Sequence, residues 1–135
     1  MNALIDSNVF IAAWHPRGQK SDLSISIIDR FGNGEIQYLY TTNYVVVKVV
    51  NFLLRKVPFS EVWKAFQFLT KTERLKVSYV DSYVDVEINR FFEKFQSLSL
   101  TDSSLLAVGQ EKGINTLYSF DSGFDKVKGI LRLEQ

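Results

Sequence analysis

The sequence predicts an α/β domain: a mostly parallel sheet of about five strands, flanked by helices on both faces. Two observations carry the prediction. Short apolar runs ending in turn residues alternate with helical stretches from one end of the chain to the other. Such alternation builds parallel sheets, because each crossover must pack back over one face. The second is the length of 135 residues, which suits one core. At this size roughly two-thirds of the unfolded surface becomes buried. No linker, repeat or low-complexity stretch divides the chain, so residues 1–135 read as a single domain.

The elements follow in order. Ala3–Ile5 is an apolar run stopping at Asp6, as a buried strand would. Asp6, Ser7 and Asn8 are turn and N-cap residues, and Val9–Trp14 is a short helix. His15-Pro16-Arg17-Gly18 breaks the chain. Leu23, Ile27, Ile28 and Phe31 keep helical spacing over 21–31, and Gly32-Asn33-Gly34 ends that helix. Ile36–Thr41 is a strand. Thr42–Lys56 is rich in valine, which favours strands. Its length and the polar stripe Tyr44, Lys48, Asn51, Arg55 favour a helix instead, capped by Thr42 or Asn43 and buried on most sides. Pro58 stops it. Ser60 and Glu61 open the next helix, with Val62, Ala65, Phe66 and Leu69 on one face. Leu75–Val80 is a strand, 82–95 a helix, and Ser99–Lys112 another with Gly113 as its stop. Thr116–Phe120 is a strand, Asp121–Phe124 a turn, and Ile130–Leu133 the last strand.

Composition narrows the function classes. With 46% hydrophobic and 23% charged residues, the chain is neither disordered nor collagen-like nor a membrane protein. Lys48 and Asn51 interrupt the most apolar region, so no stretch reaches the roughly 18 residues that span a bilayer. Met1-Asn2 leads into ALID with neither a basic segment nor a cleavage site, and the expectation is a cytoplasmic protein. The absence of cysteine excludes disulfides, thiolate metal sites and cysteine nucleophiles. A single histidine, His15, excludes mechanisms that need two. Sixteen basic against fifteen acidic residues give +1, unlike a protein held on DNA mainly by counterion release. An acidic catalytic cluster would lower a nuclease's charge in the same way, so charge leaves the function open.

In a parallel sheet, ligands gather at the carboxyl ends of the strands. Asp6 follows the first strand and Asp121 the fourth; Asp102 opens the helix before the fourth, and Asp125 lies just past Asp121. Carboxylates gathered at one edge repel each other and persist where a hard cation sits among them. Oxygen-only donors select Mg²⁺ or Mn²⁺. Such an ion activates water for attack on a phosphate. Taken singly, each aspartate also has a structural reading. Asp6 caps a helix, Asp102 sits in a first turn favoured by the helix dipole, and Asp121-Ser122-Gly123 is a turn.

LIDSNVFIAA, TTNYVVVKVVNFLL, LTDSSLLAVGQEKG and LYSFDSGFD resemble, in order and spacing, the signature blocks of PIN-domain ribonucleases. The resemblance runs from Asn2 to about Leu133 and is strongest to small single-domain members, including the VapC-type toxins of toxin–antitoxin pairs. It implies a PIN-like fold and an RNA-cleaving, Mg²⁺- or Mn²⁺-dependent endonuclease. It also implies a homodimer and, for the toxin branch, a small antitoxin partner. Carried over by position, the metal-ligand aspartates are Asp6, Asp102 and Asp121, and Asp125 matches a more variable acidic position. Ser7, Asn8, Thr101 and Ser119 occupy the small polar positions beside them, where hydrogen bonds would orient the acids.

One position departs from the family. Its helix after the second strand contributes a glutamate to the acidic cluster, and here that position is Lys48. No acidic residue lies within four positions of it, so a register slip does not restore the glutamate. If its ammonium reaches between Asp6, Asp102 and Asp121, each contact at about 4 Å and an effective dielectric near 20 is worth roughly 4 kcal/mol, in competition with the cation. Four readings follow. The chain is a naturally non-catalytic PIN-like domain acting through protein or RNA contacts; or it binds metal weakly through the three aspartates; or Lys48 is an inactivating change selected because a nuclease is toxic to its host; or the correspondence is off by a turn and Lys48 is a surface lysine.

Two further enzyme classes use the same edge. A phosphotransfer receiver would carry its phosphoacceptor at Asp81, after the third strand, but wants paired acids after the first. Asp6 stands alone there, and the DxD motif of aspartate-nucleophile phosphatases fails for the same reason. Of the remaining features, His15 sits in a loop near the site, and Arg17, Lys20, Lys126 and Lys128 are candidate phosphate contacts. Arg55-Lys56 and the run KTERLK fit helix C-termini, where the dipole favours cations. Phe52, Phe59, Trp63, Phe66 and Phe68 crowd consecutive helices, and a single core cannot take every face of them. The surplus predicts homodimerisation, an antitoxin-binding groove, or both; the alternative is a well-filled core in a small domain.

Overall fold

The computed structural model describes residues 1–15, 18–80 and 82–135. The strands are β1 (Asn2–Ile5), β2 (Tyr38–Thr42), β3 (Leu75–Ser78), β4 (Thr116–Tyr118) and β5 (Leu131–Leu133). The helices are α1 (Ser7–Trp14), α2 (Ser21–Gly32), α3 (Asn43–Leu54), α4 (Phe59–Lys71), α5 (Ser82–Lys94) and α6 (Leu100–Lys112). A short 3₁₀ turn spans Ser122–Lys126.

All four strand pairings are parallel and the order is β3-β2-β1-β4-β5. The expected five-strand parallel sheet is therefore present. The chain winds outward from β1 to β3 and then returns to β4 on the other side of β1. Right-handed crossovers consequently put α1–α4 on one face and α5–α6 on the other. The reversal point lies between β1 and β4, and a crevice opens at the carboxyl ends of these two strands. Asp6 leaves β1 at that point and Asp121 follows β4.

The central strand is buried on both faces, as its unbroken apolar run requires: Ala3, Leu4 and Ile5 are all fully buried. Helix α6 is nearly as enclosed, with Asp102 to Gly109 all buried. It lies very close to the sheet. A Cβ on Gly109 would stand 2.7 Å from Leu4 Cδ1 and 2.8 Å from the Ile114 carbonyl. Gly113 ends the helix in the left-handed conformation at φ 70°, which a side chain would strain.

The valine-rich segment is helical: Thr42 caps α3 by accepting from the Val45 N–H at 3.3 Å. It is less enclosed than expected, since Val47 and Leu54 face solvent. The aromatic surplus divides. Phe52 packs on His15, and Phe68 on Trp14 with ring centroids 5.1 Å apart. Phe59, Trp63 and Phe66 form a stacked row on α4, and the first two are 67% and 48% exposed.

Candidate active site

Asp6 is set by the end of β1. Its extended backbone makes it the N-cap of α1, and its side chain is 1% exposed. Oδ1 accepts from the Ser7 N–H at 2.6 Å and the Ser7 hydroxyl at 3.3 Å, while Oδ2 accepts from the Ser119 hydroxyl at 2.7 Å. Burial pushes this carboxyl up to about 6, and the nearby charge of Asp102 adds to the rise. Hydrogen bonds from Ser119 and Ser7, and then the field of Lys48, act against it.

Asp102 sits in the first turn of α6 and is also buried. Its Oδ2 accepts from the Ser99 N–H at 2.9 Å while the Ser99 hydroxyl accepts from the Asp102 N–H at 3.0 Å, a reciprocal capping box. Its Oδ1 has no protein hydrogen bond among the described residues. The Ser104 hydroxyl bonds the Thr101 carbonyl at 2.6 Å and pairs with the Thr42 hydroxyl at 2.9 Å. This contact pins the start of α6 to the start of α3, the helix that carries Lys48. Thr101 thus serves here through its carbonyl.

Ser119 joins Asp6 to Asp121. Fully buried, it donates to Asp6 and accepts from the Asp121 N–H at 3.0 Å and from Asn8 Nδ2 at 3.3 Å. Asn8 in turn accepts from the Phe120 N–H at 3.2 Å, tying α1 to the end of β4. Asp121 is half-buried and caps the 3₁₀ turn, its Oδ1 accepting from the Gly123 N–H at 2.8 Å.

Two residues lie differently from expectation. Lys48 is exposed and makes no ion pair within 4 Å of Asp6, Asp102 or Asp121; it acts on Asp6 only through its field. Full hydration of the ammonium at the surface outweighs insertion among the acids. Asp125 is exposed and held by Arg132 through two bonds of 2.8 and 3.1 Å, which keep its carboxyl below the usual carboxylate range. Arg132 also donates to Glu134 and to the Ser119 carbonyl. Lys20 pairs with Glu134 at 3.7 Å, and Arg17 and Asp81 lie outside the described residues.

Among the described residues no three His, Cys, Asp or Glu side chains converge as a ready metal group. The donor set is narrower than a three-carboxylate cage: Asp6 and Asp102 form one electrostatically coupled, largely dehydrated pair, with Asp121 beyond Ser119. Such a pair fits a hard cation bound by one or two carboxylates and otherwise by water and phosphate oxygens. A cation would offset both causes that raise Asp6, its burial and the charge of Asp102. Sequence reading did not single out Ser104 or Arg132. Ser104 acts through Thr42, 62 residues away, and Arg132 ties the loop carrying Asp125 to the end of β4 through the Ser119 carbonyl.

Residues 3–130 match the PIN domain family. No curated protein matches the sequence. Among solved structures, the chain is similar to the Mycobacterium tuberculosis toxin VapC20, which cleaves the sarcin–ricin loop, with a TM-score of 0.79 and 17% identity over 93% of this chain and 95% of that one. A toxin–antitoxin complex from Klebsiella pneumoniae matches with a TM-score of 0.73 and 13% identity, covering 96% of this chain and 95% of the other. VapBC2 from Rickettsia felis, bound to a promoter DNA fragment, gives 0.72 and 9%, covering 98% of both chains. At these identities the likeness shows the fold. The family match spans nearly the whole chain, and on that ground this protein belongs to the PIN domain family.

Proposed function

We propose that the chain is a divalent-metal-dependent endoribonuclease scaffold of the toxin type, hydrolysing RNA phosphodiesters, with activity weakened by Lys48 at the position of the family's glutamate. The observation that carries this is the buried Asp6–Asp102 pair at the reversal point of the sheet, where burial, reinforced by the charge of Asp102, lifts Asp6 to about 6. Asp6 and Asp102 would hold Mg²⁺ or Mn²⁺, with Asp121 reaching the ion through water. When bound, the metal supplies the positive charge that stabilises a phosphate and acidifies water. The chain's own contribution is positioning. Ser119 and the Ser7 N–H fix both oxygens of Asp6, and the capping box turns Oδ2 of Asp102 away and leaves Oδ1 free.

A second reading is a catalytically silent domain acting through protein or RNA contacts. It is favoured by Lys48 and by the lack of a third carboxylate beside the pair among the described residues. Both readings include a protein partner. The stacked row Phe59, Trp63 and Phe66, with the first two exposed, supports one, and the toxin–antitoxin complexes among the structural neighbours support a small antitoxin, with homodimerisation through the same surplus surface. Among the described residues no helix is long and apolar enough to cross a membrane.

Calorimetric Mn²⁺ titration of this protein beside Lys48→Glu tests the choice. Tight binding by the glutamate variant alone, with RNA cleavage restored, supports the nuclease scaffold and identifies Lys48 as what disables it. Binding by neither variant transfers the function to the silent reading.

A further inference from the structure

A cleft of about 370 Å³ lies between the last turns of α5 and the segment after the 3₁₀ turn, lined by Phe91, Lys94, Phe95, Lys126, Val127 and Lys128. Three features set it apart from an ordinary surface dent. Its charged lining is entirely positive, and none of the three lysines is ion-paired among the described residues. Phe91 and Phe95 are stacked with centroids 6.4 Å apart and planes 18° from parallel, and the Lys94 ammonium stands 5.4 Å over the Phe95 ring. Both walls are also continuous with the acidic site. The α5 wall leads through Phe95–Ser99 directly into the capping box of Asp102. The other wall is the chain that leaves Asp121, and Lys126 lies five residues, or about 10 Å of 3₁₀ helix, further on. Leu98 closes the junction, sitting 3.4 Å from where a Cβ on Gly123 would be.

We propose that this cleft seats the single-stranded RNA that flanks the scissile phosphate, with Lys94, Lys126 and Lys128 on backbone phosphates and the Phe91–Phe95 pair against a base. The proposal rests on the nuclease reading and extends it by assigning where the strand runs. Cations interleaved with aromatic faces form the sequence-tolerant pattern by which proteins hold single strands. The positive lining of the cleft complements a polyanion, although the whole chain carries only +1. The apolar cleft between α3 and β3, lined by Val46, Val47, Phe66 and Leu69, has no such complement.

The test is fluorescence anisotropy of a fluorescein-labelled oligouridylate in EDTA, where nothing is cut, across a salt series. Each phosphate contact to a single strand contributes about 0.7 to the slope of log affinity against log salt. The triple variant Lys94→Gln, Lys126→Gln, Lys128→Gln should therefore lower the slope by about 2 and weaken binding roughly tenfold or more at low salt. Lys71→Gln, exposed at the far end of α4, should match the parent. Phe95→Leu should weaken binding about fivefold or more with the slope unchanged, which separates stacking from charge. An unchanged slope in the triple variant, with the parent binding RNA and Lys48→Glu cutting it, overturns this proposal and leaves the nuclease reading standing. Loss of affinity for an acidic peptide, with RNA binding intact, also overturns it and makes the cleft a protein site. If the parent binds no RNA and Lys48→Glu cuts none, the nuclease reading falls and takes this proposal with it.

Discussion

Replacing Asp6 with asparagine should make the protein more stable at neutral pH. The folded-state pKa of Asp6 is raised from 3.8 to about 6 by burial and by Asp102. The ionised form is therefore disfavoured in the folded protein. The stability Asp6 contributes is full below about 3.8 and is lost as the pH rises through about 6. A shift of this size corresponds to about 3 kcal/mol of destabilisation at pH 8. Asparagine removes the charge but disturbs Ser119, whose hydroxyl loses its carboxylate acceptor while already accepting from Asn8 and Asp121. That costs about 1 kcal/mol, which leaves a net gain of roughly 2 kcal/mol at pH 8. For a chain of 135 residues the gain is about 7 °C in Tm. Thermal unfolding in EDTA at pH 8 and pH 4 measures it. The variant should melt higher at pH 8, and the advantage should vanish or reverse at pH 4. A variant less stable than the parent at pH 8, or a gain independent of pH, refutes the account of Asp6 as a strained carboxylate.

Further outcomes follow from the same contacts. Ser119→Ala strips Asp6 Oδ2 and the Asp121 N–H of their shared partner and should cost about 2–3 kcal/mol in urea unfolding. It should also raise the Asp6 carboxyl above about 6 in an NMR titration; a lowered value would contradict the arrangement. Arg132→Gln should let the Asp125 carboxyl climb back toward 3.8. Because Arg132 depresses that carboxyl, its stabilising effect is present above the ordinary value and fades as pH falls, so the two proteins should converge in stability toward acid. Gly109→Ala should cost about 1–3 kcal/mol, since its Cβ meets a carbonyl at 2.8 Å that cannot give way as a side-chain tip could. An unchanged urea midpoint would show that α6 can shift off the sheet.

Much of the fold was legible because local patterns and tertiary demands agree. The stripe Tyr44, Lys48, Asn51, Arg55 identified α3 as a helix against its valines, and Thr42 and Gly113 stand at the caps their chemistry suits. The errors lie at strand ends. Ile36 fits the apolar pattern of a strand, but its N–H returns to the Arg30 carbonyl at 3.2 Å. Val80 likewise gives its N–H to the Asn43 side chain, so β3 stops early. Both partners sit on neighbouring helices, Arg30 in α2 and Asn43 at the start of α3, and periodicity does not encode such tertiary contacts. At the site, strand ends pointed to Asp6, Asp102 and Asp121. Which oxygens stay free depends on partners such as Ser119, 113 residues from Asp6, and no local spacing reveals that. The position of Lys48 was readable from the helix, but the exposure of its ammonium is decided by hydration in the folded state.

Asp6, Asp102 and Asp121 share a second occupation: each accepts a backbone N–H at the start of a helix or 3₁₀ turn. The partial positive charge of those termini holds the carboxylates in place without any ion. Folding and chemistry are therefore separable in this protein. Those capping bonds depend on nothing at position 48, so the three aspartates alone in a related sequence report architecture. On the proposed nuclease reading, activity would be reported by position 48, which caps nothing.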